Sequence, residues 1–179
     1  MPENIFNVPN ILTILRFILS PVFLYLLLIG REELALIIFM FVAVTDLADG
    51  WIARSTQTKT KFGESMDPAA DKFMVFLALF ALVRKYDFPF WAVPIFISRD
   101  IVSLCGSIIV YAKHKDNWKP NILGKVTTFL QIATILSFII DLRLKLIFLY
   151  ITLLSSFLAA IIYARRGIRI LTTPKTKEI

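Results

Sequence analysis

The stretch TDLADGWIARSTQTKTKFGESMDPAADK, residues 45–72, decides how this chain is read, because it sets four aspartates where one apolar run ends and the next begins. Asp46 and Asp49 close the first run, and Asp67 and Asp71 open the second. Residues three or four apart share a helix face, so the spacing predicts two facing carboxylate pairs across a helical hairpin. A carboxylate near the bilayer centre costs about 2.5–3.5 kcal/mol on insertion scales, and clustered like charges repel one another. Arg54 and Lys72 offer two cations against four acids, so structural ion pairing leaves the cluster short of positive charge. A divalent ion balances it better. Oxygen-only ligands point to a hard cation, magnesium or manganese, and magnesium completes its shell with water and substrate phosphates. The implied substrate is a phosphate or pyrophosphate.

Outward from this hairpin, apolar runs predict spans near residues 10–30, 33–55, 67–86, 89–113, 121–141 and 144–170. Each is long enough to cross a hydrocarbon core, which takes about 20 helical residues. The expected fold is an all-α integral membrane protein: a six-transmembrane-helix bundle forming one domain over residues 1–179, with residues 1–9 as a candidate interfacial segment. The chain is 58% hydrophobic and 18% charged; soluble domains carry about a quarter charged residues. The first apolar stretch continues through Ile29 and contains Pro21, with no small-residue cleavage pattern, so it reads as a retained helix and not a signal peptide. The breaks between runs are short, so neighbouring helices should be antiparallel. Cys105, the single cysteine, has no disulfide partner and reads as packing.

The net charge of +7 does not form one basic patch with interleaved aromatics, so nucleic acid is not an expected partner and anionic lipid is. Arg54, Lys59, Lys61, Lys113, Lys115, Lys119, Lys125, Arg165, Arg166, Arg169, Lys175 and Lys177 fall on the side shared by both termini, against Arg31, Arg84, Lys85, Arg143 and Lys145 opposite. That side, which also bears the aspartates, is expected to face the cytoplasm across the cell's inner membrane.

Other residues admit two readings each. Gly50 and Ala53, beside the Asp46–Asp49 face, allow close ligand approach or tight helix packing, and packing is the commoner use. Gly63 reads as a turn position needing positive φ. Asp67 reads as the cap of the third helix, with Pro68 in its first turn. Arg16 and Arg99 lie within spans and must meet a carboxylate, a carbonyl or a bound phosphate. Lys125 either reaches an acceptor phosphate or snorkels to the interface.

Asp46, two residues, Asp49-Gly50, two residues, Ala53-Arg54, eight residues, Gly63, three residues, Asp67, three residues and Asp71 together resemble the signature of the CDP-alcohol phosphotransferase family (CDP-alcohol phosphatidyltransferases) at every fixed position. The resemblance implies a six-helix membrane enzyme, usually a homodimer, holding a CDP-linked donor over divalent metal at the cytoplasmic interface. It implies that Asp46, Asp49 and Asp67 are metal ligands and that Asp71 is the general base and also touches metal. Gly50, Ala53, Arg54 and Gly63 would line the CDP site of the donor, CDP-diacylglycerol.

Three further stretches resemble the branch that makes phosphatidylglycerophosphate or cardiolipin: Val8 to Arg16, Ser98-Arg99-Asp100, and Gly124 to Gln131. There Arg99 and Lys125 would serve the acceptor. Phosphatidylglycerophosphate synthases commonly have a glutamate after the arginine matching Arg99 and a second arginine eight residues on; Asp100 and Ser107 stand here instead. The expected reaction is phosphatidyl transfer to glycerol-3-phosphate in phospholipid biosynthesis, with a CMP-forming cardiolipin synthase, accepting phosphatidylglycerol, as the alternative. An ion transporter or channel is the rival from another class, since intramembrane acids often mark ion paths; it would place polar groups at several depths, not at one interface.

Overall fold

Runs of apolar residues with few interior breakers leave the backbone one economical way to satisfy its own polar groups in lipid, the helix. The computed structural model describes the backbone of residues 8–56, 61–114 and 122–172, and the side chains of residues 11–45, 70, 72–106 and 122–169. These residues form six helices: α1 (Val8–Leu28), α2 (Glu32–Thr56), α3 (Lys61–Lys85), α4 (Ala92–His114), α5 (Ile122–Ile139) and α6 (Lys145–Thr172). No strand occurs among them. Two compact units divide the chain, Met1–Phe88 with α1 to α3 and Pro89–Ile179 with α4 to α6.

In the first unit α1 packs against both α2 and α3. Its buried stripe is Thr13, Arg16, Ser20, Phe23 and Leu27, whose three-and-four spacing is one helix face. On α2 the matching stripe is Ala35, Phe39 and Val42; on α3 it includes Ala70, Met74, Ala78 and Ala81. Alanines let helix backbones approach closely, which is how helices associate where lipid removes the hydrophobic drive. Phe17 meets Phe73 at 5.6 Å and Phe23 meets Phe39 at 5.4 Å between ring centroids.

The far end of this unit is tied by polar groups. Gly30 takes φ +80°, and the amides of Gly30 and Arg31 bond back to the carbonyls of Leu27 and Leu26, the C-terminal cap that favours glycine. Lys85 Nζ donates to Leu27 O at 2.8 Å and lies 3.5 Å from Glu32 Oε1. The Tyr86 hydroxyl donates to the same Glu32 oxygen at 2.9 Å. One ammonium thus caps α1 and meets the acid at the start of α2.

In the second unit α6 packs against α4 and α5. Its interior sets polar pairs among buried apolar side chains such as Phe96, Ile135, Phe138 and Leu149: the hydroxyls of Thr127 and Ser155 are 2.7 Å apart, as are those of Thr134 and Thr152. The exterior is apolar, with Phe129, Tyr150, Leu154 and Phe157 exposed. Polar groups paired inside and apolar side chains turned outward suit a lipid surround. Among the described residues three helical segments are long and apolar enough to cross a bilayer: Ile11–Leu28, Ile122–Ile139 and Lys145–Arg169. The chain is a membrane protein.

Two expectations about α3 need correction. The helix begins at Lys61, so Gly63 lies in its first turn and not in a connecting turn. Asp67 and Pro68 fall inside the helix and not at its start. Proline is most at home at the first helical position, but its cost inside a helix is a few kcal/mol and not a prohibition. Cys105 is exposed on α4, not packed in a core.

Candidate active site

Helical period places the acids before any side chain is considered. Asp46 and Asp49 sit on α2, and Gly50, Ala53 and Arg54 follow on the same helix; Gly63, Asp67 and Asp71 sit on α3. Continued by three-and-four steps, the buried stripe Ala35, Phe39, Val42 reaches positions 46, 49 and 53 of α2. Traced backward, the α3 stripe through Ala78 and Met74 reaches positions 71 and 67. The side chains of all eight residues lie outside the described residues. Among the described residues no group of three or more histidines, cysteines, aspartates or glutamates is placed to hold a metal ion.

Contacts along α1 fix the depth of those positions. Phe23 stands against Phe39 on antiparallel α2, which puts residue 16 level with residue 46. Phe17 stands against Phe73, and Lys85 reaches Leu27, so α3 runs parallel to α1 and residue 71 lies within about one helical turn, ~5 Å along the helix axis, of the level of residue 16. Arg16 is 2% exposed and lies in the buried stripe between Thr13 and Ser20. Ser20 Oγ donates to its carbonyl at 2.7 Å.

The second unit holds a buried network around Arg99. Its Nη2 donates to Asp100 Oδ1, and its Nη1 donates to Gly124 O and, at 2.8 Å, to Thr128 Oγ1. Gln131 Nε2 donates to Asp100 Oδ2 and to Phe96 O, both at 2.8 Å. Both charged side chains are buried. Arg99 thus meets both a carboxylate and a carbonyl. Gly124 is enclosed too: a Cβ there would collide with the Tyr163 hydroxyl and lie 3.3 Å from Tyr163 Cζ. Lys125, beside it on α5, is exposed. Ser107 lies outside the residues whose side chains are described.

Sequence reasoning assigned no role to Gln131 or Thr128, although a glutamine inside an apolar run is a signal of a buried polar partner. It also placed Arg16 in a span without relating it to the aspartates. The sign was available: Arg16 shares a three-and-four stripe with Thr13 and Ser20.

Comparison with known proteins gives a family match over residues 6–159, described as CDP-alcohol phosphatidyltransferase. A CDP-diacylglycerol--glycerol-3-phosphate 3-phosphatidyltransferase of Bacillus subtilis is 34% identical over 145 residues, 73% of this chain and 75% of that protein. A protein of the same description from Aquifex aeolicus is 35% identical over 136 residues, 73% of this chain and 74% of its own length. A "Probable cardiolipin synthase (CMP-forming)" of Drosophila melanogaster is 32% identical over 150 residues, 74% of this chain; the match spans only 47% of that longer protein.

Proposed function

The chain belongs to the CDP-alcohol phosphatidyltransferase family, and from that premise we propose that it transfers a phosphatidyl group from CDP-diacylglycerol to glycerol-3-phosphate, giving phosphatidylglycerophosphate and CMP. The observation that carries the site is the spacing of Asp46, Asp49, Asp67 and Asp71 over two helices of one unit, all inside the matched segment. The whole chain, residues 1–179, forms one membrane domain of six spans, works as a homodimer, and opens its site to the cytoplasm, as the lysine and arginine bias supports.

The donor set is all oxygen, which suits magnesium or manganese, and the family is metal-dependent. Asp46, Asp49 and Asp67 would hold the ion, with Asp71 at its edge. When bound, such an ion supplies Lewis-acid stabilisation of the charge on the pyrophosphate oxygens. Asp71 accepts the proton of the acceptor hydroxyl. The freed oxygen lone pair forms a bond to the lipid-side phosphorus, the bond from that phosphorus to the bridging oxygen breaks, and CMP leaves with the electron pair. Gly50, Ala53, Arg54 and Gly63 line the CDP moiety. Lys125, exposed, meets the acceptor phosphate, while Arg99 acts on the acceptor side by holding α5 through Gly124 and Thr128.

A second acceptor is favoured by specific residues. Asp100 after Arg99 and Ser107 beyond it resemble the CMP-forming cardiolipin synthases, whose acceptor is phosphatidylglycerol. The experiment is to give purified protein CDP-diacylglycerol and magnesium, offer glycerol-3-phosphate or phosphatidylglycerol separately, and measure CMP and the lipid product. Faster release with glycerol-3-phosphate is expected. Release only with phosphatidylglycerol would transfer the assignment to the second reading.

A further inference from the structure

We propose that Arg16 is a positioning residue of the carboxylate site, a cation on α1 that offsets the repulsion among Asp46, Asp49, Asp67 and Asp71 and so sets how tightly they hold a divalent ion. The proposal rests on the reading of those aspartates as metal ligands. Arg16 is 2% exposed, on the α1 stripe that faces α2 and α3. A guanidinium stays protonated at any ordinary pH, so it cannot escape burial by becoming neutral. A buried cation in a membrane helix needs anionic or strongly dipolar neighbours.

Of the other acids of the first unit, Glu3 lies outside the described residues and Glu64 on α3 is about eight helical residues, ~12 Å, from the level of Arg16. Glu32, Glu33 and Asp87 lie at the other end of α1, past Leu28 or beyond the end of α3, and the twelve residues from Arg16 to Leu28 alone span ~18 Å. At the level of Arg16 itself stand position 46 of α2 and, within a turn, position 71 of α3, by the aromatic contacts that fix the register. Arg16 therefore brings a third helix to the acids. With Arg54 and Lys72 it raises the cations near the four carboxylates to three, still leaving room for a metal.

The direction of its effect is specific. Removing a positive charge from beside the carboxylates strengthens their hold on an added dication, whereas removing a merely space-filling side chain does not. Manganese binding to the full chain in detergent, read by electron paramagnetic resonance without nucleotide, supplies the test. Asp67→Asn should weaken manganese binding at least tenfold relative to wild type, which checks the metal reading separately. Arg16→Met should bind manganese about tenfold more tightly than wild type, and Arg16→Lys, which keeps the charge, within about threefold of it. Unchanged or weaker binding by Arg16→Met overturns the proposal, as does equal tightening by Arg16→Lys. Manganese binding indifferent to Asp67→Asn refutes the metal reading and the proposal together. Should Arg16→Met fail to fold, the double variant Arg16→Met/Asp46→Asn regains folded protein if the lost charge balance is the cause; a double variant as unfolded as the single overturns the proposal.

Discussion

Replacing Arg99 by methionine removes from its network a buried cation that pairs with Asp100, whose carboxylate keeps its bond from Gln131. Replacing Asp100 by leucine leaves the Arg99 guanidinium with Gly124 O and Thr128 Oγ1 in that network. Each single change breaks a buried ion pair and leaves one charge of the pair buried without the other, which costs about 3–5 kcal/mol. The double variant Arg99→Met/Asp100→Leu removes both charges and should cost less than either single one. At about 2–4 °C per kcal/mol for a chain of this size, each single variant should melt roughly 10 °C below wild type, with the double variant in between. Melting in detergent followed by tryptophan fluorescence measures this. A double variant that loses the sum of the two single losses would refute the pair as a charge-compensated unit. The acceptor KM of the folded double variant then separates the two roles of Arg99. Positioning through α5 predicts a change within about threefold, and a rise beyond about tenfold, ~1.4 kcal/mol of lost binding, would show direct contact with the acceptor.

Gly124→Ala sets a helix-propensity gain of about 1 kcal/mol against overpacking of about 1–3 kcal/mol on Tyr163. The substitution should therefore destabilise wild type yet be neutral or stabilising in a Tyr163→Phe background, and an identical effect in both would dismiss the collision. Lys85→Met removes the cap on Leu27 and the half-exposed pair with Glu32, so the melting point should fall by a few degrees, from about 1–2 kcal/mol, without altering the donor KM. A tenfold change in that KM would mean the far end of the unit governs the site. Asp67→Asn should remove most magnesium-dependent CMP release, and release that stays magnesium-dependent at wild-type rate would take Asp67 out of the ligand set.

Local features were legible from sequence, and distant contacts were not. All six helices follow from apolar runs and polar breaks, and the caps at Gly30 and Asp141, both at positive φ, sit where the breaks predict. The start of α3 was misplaced because Pro68 resembles a first-turn proline, while the polar residues ahead of it continue the same helix. The four aspartates were readable because three-and-four spacing is a local property. Pairing of Gln131 with Asp100 and enclosure of Gly124 by Tyr163 join residues far apart in the chain, and periodicity carries no information about which helix a face will meet. Arg16 stands between the two cases: its stripe is local, but its level with position 46 emerges only from the Phe23–Phe39 contact.

The central claim is that these aspartates perform phosphatidyl transfer, and CMP release from CDP-diacylglycerol by purified wild-type protein and by Asp71→Asn, each with magnesium and glycerol-3-phosphate, tests it most directly. The account predicts steady release by wild type and a loss of at least about a hundredfold in the variant, the usual contribution of a general base, with donor binding retained. No release by wild type with any alcohol, or undiminished release by Asp71→Asn, would contradict it.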